Sequence, residues 1–135
     1  MNDMWKSILS GKQAADSGVL SRLFEFRIKL HLMHLATDSF AEHKALGKMY
    51  EGLDGFIDGF AETFMGAKGS KDLAKGQVSV SASADGDSMS VLDELQAFIK
   101  GELTQAIGQD ETALLNMRDD LLGQVQATKY MLTLK

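Results

Sequence analysis

Residues 31–62 read HLMHLATDSFAEHKALGKMYEGLDGFIDGFAE, and this stretch decides what the chain can fold into and bind. It contains every histidine of the protein, followed by two carboxylates one helical turn apart: His31, His34, His43, Asp58 and Glu62. Imidazole and carboxylate together form a ligand set suited to a divalent metal such as iron, manganese or zinc. The stretch therefore predicts a metal-binding site.

A long helix is predicted in the second half of this stretch. Ser39 and Glu42 have the spacing of a capping box, in which each side chain bonds a free amide at a helix start. Apolar residues then recur at helical spacing over residues 40–65, and Gly66 and Gly69 supply a stop signal. The helix is expected to begin at Phe40 and to end near Met65.

The candidate ligands of this helix are too far apart to meet within it. His43 and Asp58 lie about 60° apart around the axis, and Glu62 follows Asp58 at i+4. Because a helix rises about 1.5 Å per residue, roughly 22 Å separate His43 from Asp58. An antiparallel second copy would place His43 of one chain beside Asp58 and Glu62 of the other, and symmetry would create two equivalent sites. The alternative is that Asp58 and Glu62 simply lie on a solvated face of the helix and bind no metal.

The order of these residues resembles that of Dps-type miniferritins, members of the ferritin-like superfamily: His34, His43, Tyr50, Asp58, Glu62 and a closing glycine. In that family two histidines of one subunit and the Asp and Glu of its neighbour form an iron-oxidising site. The resemblance implies oxidation of Fe(II) by peroxide or oxygen and storage or detoxification of iron within a shell, a dodecamer in the family. The implied metal is iron, with another divalent metal as the alternative.

The chain departs from the family pattern at two places. His34 is followed by Leu35 where the family has Trp, and the turn that follows is shorter. Either His34, by its neighbours, or His31, by its twelve-residue distance to His43, fits the first ligand position. Gly47 stands where many members carry a further carboxylate. These departures keep open a second hypothesis, a non-enzymatic helical oligomerisation or scaffold protein with a vestigial metal site.

The length, composition and charge of the chain exclude several classes of protein. The 135 residues are enough for one domain with a single core. The chain lacks cysteine, which excludes disulfides and thiolate metal sites and fits a cytoplasmic location. The sequence has no apolar run long enough for a transmembrane helix, so no membrane partner is expected. A net charge of −5 and sparse lysines in the N-terminal tail argue against DNA binding.

The expected fold is all-α, a ferritin-like four-helix bundle with a long connection between its second and third helices. Residues 1–17 are expected to form an N-terminal arm or a short helix that packs through Trp5, Ile8 and Leu9, and residues 18–135 the bundle. Helices are predicted from residues 17–19 to 36, 40 to 65, 90 to 107 and 110 to 134, the last capped by Asp110.

The connection spans residues 67–88, and within it residues 77–83 alternate as a short strand would, or stay a loop. Gly52, Gly55 and Gly59 are interpreted as the place where two copies of the second helix cross.

Overall fold

The computed structural model describes the backbone of residues 3–134 and the side chains of residues 18–134. Over this range the chain is helical, with no strand. The longest elements are α1 (Asp3–Ala36) and α2 (Phe40–Lys68), followed by the short α3 (Asp72–Lys75). Next comes α4 (Ser88–Phe98), which continues through a π-helical turn (Ile99–Leu103) into α5 (Thr104–Ile107), and α6 (Thr112–Leu132) completes the described chain. The expectation of an all-α protein is confirmed.

The ends of α2 follow from local signals. The Ser39 Oγ accepts a hydrogen bond from the Glu42 N–H at 3.2 Å, and Gly69 closes the helix at φ 65°, a left-handed conformation that glycine adopts without strain. The other half of the capping box does not form, because the Ser39 N–H donates to Thr37 Oγ1 at 3.1 Å. Glu42 instead accepts a hydrogen bond from the Ser88 Oγ, 2.5 Å away.

Other helix boundaries differ from those expected. α1 begins at Asp3 rather than near residues 17–19, so helix occupies most of the predicted N-terminal arm. The expected packing of Trp5, Ile8 and Leu9 lies outside the described side chains. α6 begins at Thr112, and the Asp110 side chain does not cap it, because the chain turns at Gly108 (φ 84°) and puts Glu111 in the cap position. Residues 77–83 form a loop.

Contacts between the helices fix their directions. The Ser88–Glu42 bond puts the start of α4 beside the start of α2, so the connection of residues 69–87 runs back along the molecule. Lys68 lies 4.0 Å from Glu111, which puts the start of α6 at the end of α2. Thr128, near the end of α6, donates to the Met49 Sδ in the first half of α2. α1 reverses into α2 at the turn of residues 37–39, and Arg27 of α1 lies 3.3 Å from Asp54 of α2. α1 and α6 therefore run one way, and α2 and α4–α5 run the other.

The long helices share one hydrophobic core. Its fully buried side chains come from every long helix and include Leu23, Leu30, Leu46, Leu53, Leu92, Leu95, Leu103, Leu114, Leu121 and Val125. Burying each of these leucines contributes about 1.5–3 kcal/mol, so the core rather than local propensity stabilises the helices. No helix of the described range is long and apolar enough to cross a membrane.

The interior glycines of α2 have different surroundings. A Cβ on Gly52 would overlap the Gln124 side chain of α6, and one on Gly59 would lie 3.1 Å from Met117 Cε. Close packing on α6 within the same chain therefore accounts for these two. Gly55 alone of the three is exposed, with open space around it.

Candidate functional site at the histidine end

His34, in the last turn of α1, and His43, in the first turn of α2, are brought together by the tight turn between the helices. Their rings stack with centroids 3.8 Å apart and planes 17° apart. The His34 Nδ1 lies 2.6 Å from the His43 carbonyl oxygen, and the His43 Nδ1 lies 2.7 Å from the His34 carbonyl oxygen. Because a carbonyl oxygen only accepts, each Nδ1 carries a proton and donates.

This arrangement prepares both imidazoles for coordination. In the neutral tautomer set by these bonds, the lone pair that remains is on Nε2. Neither Nε2 has a hydrogen-bond partner within the described residues. A ligand histidine is typically oriented in this way, with its other nitrogen donating to a backbone carbonyl.

Gly47 allows the His34 ring its position. A Cβ at residue 47 would lie 2.8 Å from the His34 Cε1 and 3.0 Å from its Nδ1. A larger side chain would displace the ring, so the position where the family resemblance suggested a missing carboxylate has a packing role here. The sequence carried no signal for this contact, because the ring that Gly47 meets belongs to the other helix.

Of the two alternatives for the first ligand, His31 is the one that does not contact the His43 ring. Its ring stacks on Tyr50, with centroids 4.1 Å apart, and lies 6.1 Å from the His34 ring. Tyr50 also meets the His34 ring edge-on at 5.2 Å. The histidines and Tyr50 thus form one aromatic cluster between α1 and α2, in which His34 is the residue paired with His43.

Asp58 and Glu62 lie elsewhere on α2, on its exposed side. Since α2 is unbroken from Phe40 to Lys68, their large axial distance from His43 holds in the folded chain. Among the side chains of residues 18–134, neither carboxylate has an ion-pair partner. The described part of one chain brings no three of its His, Asp and Glu side chains together as a metal site.

A groove of about 860 Å³ follows the outer side of α2 over its first half. We call it the α2 groove. His34 and His43 line it, as do Lys44, Lys48 and, from α6, Met131. Both histidines therefore border an open space beside α2.

The comparisons with known proteins cover most of the chain. The profile of a family of unknown function, DUF5856, matches residues 34–132, a range that includes His34, His43, Asp58 and Glu62 but not His31. A protein of Enterobacteria phage T4, described as an uncharacterized 14.6 kDa protein in the mobD-ri intergenic region, is 25% identical over 126 residues, which are 93% of this chain and 94% of the phage protein. Neither description mentions a ferritin-like protein. No solved structure matches the chain.

Proposed function

This chain belongs to the DUF5856 family, whose description names no activity, and we propose from its geometry that it is a Dps-like iron protein. It would oxidise Fe(II) at a site shared by two chains and store or detoxify the Fe(III) formed. The observation that carries the proposal is the crossed His34–His43 pair, in which both Nδ1 atoms are held by carbonyl oxygens. A pair of oriented, neutral imidazoles is the nitrogen half of an iron site.

The proposed architecture is a ferritin-like four-helix bundle. It is supported by the opposed directions of α1 and α6 against α2 and α4–α5, and by the connection of residues 69–87 along the molecule. A long crossover after the second helix is a feature of ferritin-like bundles. Metal ligands inside such bundles come from Glu-x-x-His motifs, which this sequence lacks, so the site is proposed at a contact between chains.

Asp58 and Glu62 of a second chain would complete the ligand set. Neutral imidazoles compensate no charge, whereas two carboxylates bind Fe(III) more strongly than Fe(II) because the attraction grows with the charge of the ion. The acidic pair therefore favours the oxidised product. In the balanced step, two Fe(II) each lose one electron, and hydrogen peroxide takes up both electrons and two protons to give two water molecules.

Anaerobic titration with Fe(II), followed by peroxide, tests this proposal. Wild type should bind Fe(II) saturably and oxidise it rapidly, whereas His43→Ala and Asp58→Ala should lose both properties. Glu94→Ala is the matched control, since Glu94 is an exposed carboxylate on α4, and it should behave as wild type. Equally slow oxidation in all four proteins would contradict the proposal.

Storage, as distinct from oxidation, needs a closed shell of subunits. Light scattering of the purified protein measures its mass directly. A particle of many subunits, such as the dodecamer that the family resemblance implies, supports storage. A species of only two chains removes storage from the proposal and leaves oxidation alone.

One observation favours a second candidate function, a scaffold with a vestigial metal site. Lys44 and Lys48 are exposed on the same side of α2 as Asp58 and Glu62. In a two-chain assembly their ammonium groups could neutralise the carboxylates with no metal present. The same titration separates the two functions, because a scaffold would associate without saturable Fe(II) binding.

A further inference from the structure

The exposed side of α2 carries a segregated row of charges. We call this row the α2 stripe, and every residue in it is exposed: Lys44, Lys48, Glu51, Gly55, Asp58 and Glu62. Both lysines lie in the first half and the acidic residues lie from the middle onward. At about 100° per residue all six fall within roughly 80° of one another around the helix. Because the two ends of this helix face carry opposite charges, the face is complementary to the same face of a second, antiparallel helix.

The α2 groove lies over the positive half of this stripe. Gly47 and Gly52 also line it, and each is covered by a side chain of another helix, His34 at Gly47 and Gln124 at Gly52. Apolar surface flanks it, since Phe40 is 75% exposed and Met131, which lines the groove, is 45% exposed. A partner on this face would cover the apolar surface and could pair with the charges of the stripe.

We propose that the occupant of the α2 groove is the α2 stripe of a second copy of this chain, antiparallel, about a two-fold axis level with residue 53. In an antiparallel pair, residues equidistant from the axis face each other. That register puts Lys44 against Glu62 of the second copy and Lys48 against Asp58. It also puts Glu51 against Gly55, where open space surrounds the glycine and receives the longer side chain.

The register is specific because only an axis level with residue 53 pairs both lysines of the stripe with Asp58 and Glu62 at once; an axis level with residue 51 or 55 keeps one such pair. An axis level with residue 51 would bring Glu51 of the two copies face to face, and like charges in contact disfavour association. Each exposed ion pair alone is worth only about 0–1 kcal/mol. Symmetry makes each pair twice, however, and all of them favour the same register, so their main effect is on which alignment forms.

This inference deepens the proposed function, on whose two-chain site it rests, by naming the face and the alignment through which the chains meet. It places Glu62 of the second copy opposite Lys44, the residue next to His43. It also gives the lysines a role that an iron site alone does not: they hold the acidic residues of the second copy in the absence of metal.

Charge reversal in the metal-free, full-length protein tests the alignment. Lys48→Glu should weaken association about tenfold or more, measured as the dissociation constant by sedimentation equilibrium at low salt, because it sets Glu against Asp58 of the second copy. Adding Asp58→Lys to it restores an opposite-charge pair in both copies, and association should return. Lys44→Glu with Glu62→Lys should behave in the same way.

The matched control is Lys44→Glu with Asp58→Lys, which makes the same kinds of change and has the same net charge as the restored doubles. In the proposed alignment it creates like-charge contacts at both positions, so association should stay weak. Circular dichroism should show unchanged helix in every variant, because all the substituted side chains are exposed.

Two results would overturn the inference: a wild-type protein that is monomeric throughout, or a control that associates as well as the restored doubles. No iron enters these measurements, so their outcome is separate from that of the titration. Association in this register without saturable iron binding would end the proposed function alone. Saturable binding by an assembly that ignores these charges would end the inference alone.

Discussion

His34 and His43 each donate an Nδ1–H to the backbone carbonyl of the other residue, at 2.6 and 2.7 Å. The His34 carbonyl lies in the last turn of α1, where it has no partner within the helix. The His43 side chain therefore caps α1 while it is itself being oriented. One pair of side chains thus joins two helices and presents two imidazoles, so its loss affects stability as well as any metal binding.

His43→Ala should destabilise the protein even without iron. It removes the hydrogen bond from the His43 Nδ1 and leaves the His34 carbonyl without its cap, at an expected cost of about 1–2 kcal/mol. Urea denaturation of metal-free protein measures this free energy of unfolding. Lys44→Ala, the exposed neighbour, is the control and should stay within about 0.5 kcal/mol of wild type. If the two variants are equally stable, the pair does not hold the helices together.

Gly47→Ala and Gly55→Ala should have opposite effects. Alanine in a helix interior is favoured over glycine by about 1 kcal/mol, and at Gly55 no described atom of the same chain lies close enough to oppose that gain. At Gly47 the new Cβ would lie 2.8 Å from the His34 ring, so the gain should be lost and the ring displaced. Thermal unfolding gives the stabilities, and NMR spectra of the imidazoles report the ring. An unchanged His34 signal in Gly47→Ala would contradict this contact.

The Ser88–Glu42 hydrogen bond should contribute measurably to stability, because it fixes the start of α4 against α2. Ser88 is buried, and its Oγ lies 2.5 Å from the Glu42 carboxylate. Ser88→Ala should cost about 1–3 kcal/mol, a range typical of bonds to charged groups. Ser79→Ala, in the exposed part of the connection, is the control. Equal midpoints of urea denaturation for the two variants would show that this bond does not anchor the connection.

The start of α2 could be predicted from the sequence, and its end to within three residues, since the helix continues past Met65 and Gly66 to Lys68. The start of α1 could not. Ser39 and Gly69 act on their immediate neighbours, so the few residues around each of them are enough to predict a helix end. Ser17 and Gly18 are residue types that also favour helix ends, but α1 continues through both of them. A single glycine costs a helix only about 1 kcal/mol, which the hydrogen bonds of a continuous α1 offset.

The meeting of His34 and His43 was predictable from the short turn between their helices. The crossed hydrogen bonds and the contact with Gly47 were not, because they depend on how the rings are rotated. Nor does one chain show what faces Asp58 and Glu62. Their position on an exposed stripe is a property of the fold, but their partner depends on a second molecule.

The central claim is that one chain supplies the histidines of an iron site and another supplies its carboxylates, and subunit mixing tests it most directly. Chains carrying His43→Ala and chains carrying Asp58→Ala with Glu62→Ala should each fail to oxidise Fe(II) alone. Co-expressed, they should recover about a quarter of the wild-type rate, because half of randomly formed pairs are mixed and each mixed pair holds one intact site of two. A mixture as inactive as its components, although mixed pairs form, would contradict the claim.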